Sequence, residues 1–470
     1  MDDLPIPLHP VSNGEYPPAP WTPFRREVAR RTRAEIESRA RLTGMDRRTF
    51  LRSLCGTATA LWVLGACSKE EAADRGAEPG GTFGIPETAT TEPEAAGEVL
   101  GGDQFVFDVQ THLLEIEDGG PSFGQGFPQA DCGIGDDWRD CFRTDVWLDL
   151  IFGQSDTAMA LLSAIPVVAD PDPLSVAVMD RARRQAEALG CHGRVLLSGQ
   201  VFPSMGRPGD VLDGMAATAD RFNLSVWKVY THAGGDPWRL DDGDPDLAPV
   251  GEVFLDGVRQ TAVPVVAVHK GLGDHRLASP ADVGPVAAAN PDLAFWVYHS
   301  GYESYREEGP YQARDSGTDR LITSVHEAGL GRGSNVYAEL GSTWFNLMRS
   351  PDQAAHTLGK LLSRLGPDNV LWGTDSIWYG SPQQQIEAFR AFEISEQLQE
   401  EHGYPPLTAE VKAKVLGGSA ARVLGIEPMA GACGRNDGAR EAALVPAGAT
   451  LGPETAAAAR SVFAAEHPWL

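Results

Sequence analysis

The chain has 470 residues, long enough for one large barrel or two or three ordinary domains with a sizeable core. A formal net charge of -26 excludes sequence-independent nucleic-acid binding, which depends on Lys and Arg neutralising phosphates. A soluble acidic protein is the class that composition leaves.

Residues 1–67 depart from this balance: up to Ala66 they hold ten Arg against seven Asp or Glu. Arg47 and Arg48 precede Phe50 and Leu51, and an uncharged stretch runs from Ser53 to Ala66. That stretch is too short to span a bilayer as a helix, but it fits the charged and apolar regions of an export signal. Paired arginines before Phe-Leu resemble the twin-arginine class. The tetrad LGAC, Leu64 to Cys67, looks like a lipobox, which would make Cys67 the lipidated first residue of the mature chain. The plainer reading is a small residue near a cleavage site. Before Met45 the chain is Pro-rich and long for a leader: either an extended n-region, or a stretch upstream of a true start at Met45. The expectation is export by the twin-arginine machinery to the periplasmic or cell-surface side of a membrane, with a lipid anchor on Cys67.

Residues 68–102 are rich in Ala, Glu, Gly, Thr and Pro and read as a disordered linker. From residue 103 the chain alternates apolar, strand-like runs with amphipathic stretches, the pattern of a parallel sheet covered by helices. Eight strands are predicted: Phe105–Val109, Ala158–Ile165, Val195–Val201, Val226–Tyr230, Val263–Val268, Ala294–Tyr298, Val336–Leu340 and Val370–Trp372. Their near-continuous apolar character is expected where both faces are buried. Helices are predicted over Pro173–Leu189, Pro208–Phe222, Gly251–Gln260, Thr318–Ala328 and Pro351–Leu365. Eight such units over residues 103–427 predict an α/β fold of the (β/α)8 TIM-barrel type, in which chemistry gathers at the C-terminal ends of the strands. Residues 428–470 read as a tail with a short terminal helix.

If that architecture holds an active site, polar residues should follow the strands, and they do. The first strand ends in Gln110 and His112; the fourth carries Lys228 and ends near His232; the fifth ends in His269. The sixth ends in His299, the seventh carries Glu339, and the eighth ends in Asp375. One such histidine would be an ordinary structural residue, whereas three histidines, an Asp and a Glu at five strand ends point to a shared site. His232 lies past its strand beside Gly234 and Gly235 and reads as a loop residue.

The order DVQTH, VHK, HSG and GTDS, closed by GGSAARVLGI at Gly417–Ile426, resembles the amidohydrolase-related family, in its amidohydrolase-2 branch of metal-dependent hydrolases and decarboxylases. The resemblance implies one divalent ion, Zn or Mn, held by Gln110, His112, His269 and Asp375. It implies His299 as general acid or base and a second, proton-accepting role for Asp375. The residue types suit this: imidazole and carboxylate ligate such ions, metal-bound water ionises near neutrality, and imidazole titrates there too. Lys228 and Glu339 would line the same mouth and contact substrate, the plainer alternatives being a salt bridge for Lys228 and internal pairing for Glu339.

Gln110 departs from the family's His-x-His pair. A neutral amide is a poor ligand beside imidazole, and three readings follow: three strong ligands with a weak fourth and a harder ion such as Mn, a metal-free site in which Gln110 orients substrate, or lost catalysis. The leading function is an exported hydrolase that turns metal-activated water on the carbonyl carbon of a small lactone, ester or amide. A non-oxidative decarboxylase on the same barrel is the alternative, and a silent ligand-binding surface lipoprotein a third. Cys132 and Cys141, nine positions apart in an acidic loop after the first strand, are either a disulfide clamping that loop over the mouth or two free thiols.

Overall fold

The structure is a computed structural model that describes residues 4–273 and 275–429. Eight parallel strands form a nearly closed barrel: β1 (Val106–Thr111), β2 (Thr157–Leu162), β3 (Val195–Gln200), β4 (Val226–Tyr230), β5 (Val265–His269), β6 (Ala294–Tyr298), β7 (Val336–Glu339) and β8 (Val370–Leu371). Each pairs in parallel with the next in chain order. The five predicted helices are present within a few residues of their expected ends, with Gly251–Gln260 matching at both.

The strands are apolar on both faces because each face meets a different core. Val226, Val265, Ala267, Trp296 and Tyr337 point into the barrel, while Trp227, Val266, Val268, Phe295 and Ala338 pack against the surrounding helices. With a period of two, the inward series on β4 continues to Lys228 and on β5 to His269, and that on β7 ends at Glu339. The strand pattern that fills the barrel thus also aims its last side chains into the mouth. At the other end Ala420 joins the interior cluster, with Val423 and Leu424 packed against it. Gly417 allows that approach, since a Cβ there would lie 2.5 Å from the Phe105 carbonyl oxygen.

The barrel closes between β8 and β1. The Val109 amide donates to Trp372 O at 3.0 Å and the Asp375 amide to Gln110 O at 2.9 Å. Asp108 adds a side-chain clip, accepting from the Gln110 amide at 3.1 Å, the Thr374 amide at 3.0 Å and the Thr374 hydroxyl. A register shift between β1 and β2 falls between Asp108 and Thr111. Irregularities of this kind re-aim side chains next to sites, and Gln110 lies in this one.

The segment before the barrel differs from expectation. Residues 68–102 are not a disordered linker: Gly81–Phe83 pairs antiparallel with Phe392–Ile394, and Pro93–Leu100 forms a helix with Ala96 and Leu100 buried. The segment has few large apolar residues, but Phe83, Ile85 and Leu100 are each spent on the core, and small neighbours let the chain lie close. Composition averaged over the segment hides that placement. Upstream, Pro23–Thr43 and Leu54–Asp74 are helices, and the uncharged stretch Ser53–Ala66 lies largely buried within the second, with Leu61 and Leu64 in the main core. Among the described residues no helix is long and apolar enough to cross a membrane. The expected terminal helix of the 428–470 tail lies outside the described residues.

Cys132 and Cys141 are joined as a disulfide, with Cα atoms 5.8 Å apart. Their loop does reach the mouth: Phe127 and Phe142 pack around Trp378, which stacks on the His112 ring at 4.9 Å.

Candidate active site

The strand-end residues converge, and the backbone fixes each of them. The His112 Nδ1–H donates to the Ser163 carbonyl at 2.7 Å, and the His299 Nδ1–H to the Gly341 carbonyl at 2.6 Å. Since a carbonyl only accepts, both rings are left with Nε2 turned toward the mouth. Glu339 holds the backbone around His299: its two oxygens accept from the His299 amide at 3.0 Å and the Gly341 amide at 2.6 Å. His299, Ser300, Ser342 and Asp375 all adopt left-handed backbone, with φ of 67°, 54°, 52° and 61°. Such conformations cost of order 1–3 kcal/mol each in non-glycine residues and cluster at functional sites.

Contacts run unbroken across the centre. His112 Nε2 lies 3.1 Å from Asp375 Oδ1, which also accepts from Gln110 Nε2 at 3.0 Å. Gln110 Nε2 is 3.4 Å from His299 Nε2, which is 3.1 Å from His269 Nδ1. Asp375 Oδ2 accepts from Ser342 Oγ at 2.5 Å and Asn13 Nδ2 at 3.0 Å. With Nδ1 carrying the hydrogen of His112, its Nε2 lone pair faces a carboxylate oxygen. Two acceptors at 3.1 Å need a positive charge between or upon them, either an added proton or a shared cation. Imidazoles oriented by backbone carbonyls beside a buried carboxylate are the usual surroundings of a ligated divalent ion, so these residues fit one.

The electrostatics agree. Burial pushes the His299 imidazole down to about 4 against the Asp375 charge, and pushes His269 well below its usual range, so both are neutral and have lone pairs to offer at neutral pH. Asp375 stays ionised: burial would raise it, but His112, His299 and Ser342 outweigh that and hold it below the usual carboxylate range.

Lys228 makes no salt bridge to Glu339 or Asp375. It is 1% exposed, its Nζ has no hydrogen-bond partner among the described residues, and it sits 4.2 Å and 4.0 Å from the ring centroids of Tyr230 and Tyr298. Burial lowers its ammonium to about 7, against the pull of Glu15, Glu339 and Asp375. Glu339 is not placed as the expected substrate contact, because both its oxygens serve backbone amides. Gln110 offers its NH2 to Asp375 and turns Oε1 toward Gly341, where a Cβ would lie 2.2 Å away, so as oriented it donates and does not ligate. His232, read as a loop residue, stands beside the site, its ring 4.9 Å from that of His269.

Sequence reasoning missed the N-terminal contribution. Residues Ser12–Tyr16, SNGEY, enter the mouth: Asn13 bonds Asp375, and Glu15 Oε1 comes within 3.7 Å of His269 Nδ1. Glu15, His269 and His299 place ligand atoms within 4.8 Å of one another. The available signal was an acidic residue after an Asn-Gly turn in an otherwise Pro-rich leader, a tight and specific element where a featureless one was expected.

The model of the amidohydrolase family Amidohydro_2 matches residues 107–426. No curated protein matches the sequence. Among solved structures, the chain is similar to 5-carboxyvanillate decarboxylase from Sphingomonas paucimobilis at 15% identity, covering 69% of this chain and 100% of that one with a TM-score of 0.36. It is similar to 2,6-dihydroxybenzoate decarboxylase from Rhizobium at 14%, covering 68% and 99% with a TM-score of 0.38. A third is 5-carboxyvanillate decarboxylase from Novosphingobium aromaticivorans with bound manganese, at 13%, covering 70% and 99% with a TM-score of 0.40. The matched span takes in all eight strands but for the first residue of β1, together with every strand-end histidine and carboxylate described above, and on that span the chain belongs to the amidohydrolase family.

Proposed function

We propose that the protein is a metal-dependent enzyme acting on a small carboxylate-bearing molecule, and that it removes the carboxylate as CO2 without oxidation. The observation that carries this reading is Lys228. A buried ammonium without a hydrogen-bond partner among the described residues is costly, and an anionic substrate group supplies what it lacks. The Tyr230 and Tyr298 rings beside it give a flat, apolar wall suited to a planar substrate.

His112, His269 and Asp375 are the residues that would hold a divalent ion, with Gln110 orienting Asp375. Bound there, the ion supplies Lewis acidity and a fixed positive charge. Loss of CO2 breaks the bond to the carboxyl carbon and leaves its electron pair on the substrate carbon, which then takes a proton. His299 Nε2 faces the centre while its Nδ1–H is tied to Gly341, so its free lone pair would take a proton from solvent water and hand it to that carbon. The buried walls of the mouth favour the step, since a carboxylate stripped of water loses CO2 more readily.

Hydrolysis by metal-activated water on a lactone, ester or amide is the second reading, and the family's description favours it. It needs a base for the attacking water. Asp375, the expected one, already accepts from Gln110, Asn13 and Ser342.

The test is a panel of aromatic carboxylates, lactones and esters, scored for CO2 release and for hydrolysis. Carboxylates should turn over, and Lys228→Met should lower their kcat/KM by about 100-fold or more, the loss expected for a desolvated charge pair. Turnover of uncharged esters or lactones that ignores Lys228→Met would overturn the reading.

A further inference from the structure

The site's weak corner is Gln110, which brings an amide where the family pattern has a histidine. The N-terminal segment brings a carboxylate, that of Glu15, beside His269 in the same mouth. We propose that Glu15 is the anionic ligand that completes the metal site, so that a strap from the far end of the chain stands in for the ligand missing from β1. This rests on the metal-dependent reading above.

The strap is built into the fold and aimed at the site. Ile6, Leu8, Val11 and Tyr16 are buried in the main core, and the buried Arg349 guanidinium donates to the Pro7 carbonyl at 3.3 Å. Tyr16 OH meets Tyr379 OH at 2.9 Å, and Tyr379 OH meets Ser342 Oγ, an Asp375 partner, at 2.7 Å. Gly14 turns the chain with φ of +85°, a conformation other residues rarely adopt.

Within that turn Asn13 does for Glu15 what outer-shell partners do for metal ligands. Its Nδ2 donates to Glu15 Oε2 at 2.7 Å and to Asp375 Oδ2 at 3.0 Å, leaving Glu15 Oε1 facing His269. One amide group thereby holds two carboxylates of the mouth. Glu15 Oε1 beside the His269 ring puts a carboxylate oxygen next to a residue that would hold the ion, and nitrogen and oxygen donors together suit Zn or Mn.

The experiment is a calorimetric titration of the metal-free full chain with Mn2+, set beside Glu15→Gln and the double variant Glu15→Gln/Gln110→His. The wild type should bind about one equivalent. Glu15→Gln should weaken binding by more than about 10-fold while the metal-free Tm stays within about 2 °C, and its metal-induced rise in Tm should shrink in step. Gln110→His should recover much of the lost affinity, because it restores a strong ligand at the position Glu15 replaces. Unchanged affinity in Glu15→Gln would overturn the role of Glu15 and leave the metal reading standing. A wild type that binds no Mn2+ or Zn2+ would overturn both.

Discussion

His299 shows how much of this site is set by atoms that never touch substrate. Its ring orientation comes from Gly341 O, its amide from Glu339, and its left-handed φ from a turn that Thr343 Oγ1 ties to His299 O at 3.0 Å. Glu339 was legible as a strand-end carboxylate, but its role was not, because sequence places a side chain on a strand and says nothing of which donors meet it. A carboxylate accepting two backbone amides is a positioning residue. Glu339→Gln should turn one acceptor into an NH2 group facing an N–H donor, costing about 1–3 kcal/mol of stability. It should also lower kcat by about 10-fold or more through displacement of His299, with KM little changed. Thermal unfolding and steady-state kinetics read the two effects, and a variant with wild-type kcat and Tm would show that Glu339 only fills space.

At the scale of elements, the barrel strands were readable because burial on both faces leaves little room for polar residues until the strand ends, where His269 and Asp375 stood out. The N-terminal elements were not readable by the same logic. Pro-rich and Arg-rich stretches look like a leader, yet Ile6, Leu8 and Val11 are buried, and the uncharged run before Cys67 fills a core helix. Export by the twin-arginine route and lipidation at Cys67 are proposals from the sequence, and the strap sets a condition on them. Cleavage at Cys67 would remove Asn13 and Glu15 together with the helix Pro23–Thr43. The active protein recovered from its native cells should therefore carry the strap, as intact mass and N-terminal peptides would report. A fully active chain beginning at Cys67 would refute a role for the strap in the site.

Across the whole molecule the barrel and the N-terminal helices share one core, with Glu387 buried in it. Burial pushes its carboxyl up from 4.5 to about 7, despite Thr57 and Gln383 beside it. The fold thus favours the protonated form: there is no penalty below pH 4.5, it grows between pH 4.5 and 7, and it is complete above. Glu387→Gln should leave stability near pH 4 unchanged and raise it at about pH 8 by up to roughly 3 kcal/mol, as denaturant titrations at the two pH values would show. Equal stability of the two proteins at the higher pH would contradict the shift. Whether the barrel holds a metal ion is decided by the metal content of the full chain purified from Mn- and Zn-supplemented medium, beside that of His269→Ala. About one equivalent per chain in the wild type, and loss of most of it in a folded His269→Ala, is the expected result. A wild type free of divalent metal, or a His269→Ala variant that keeps its full equivalent, would contradict the account.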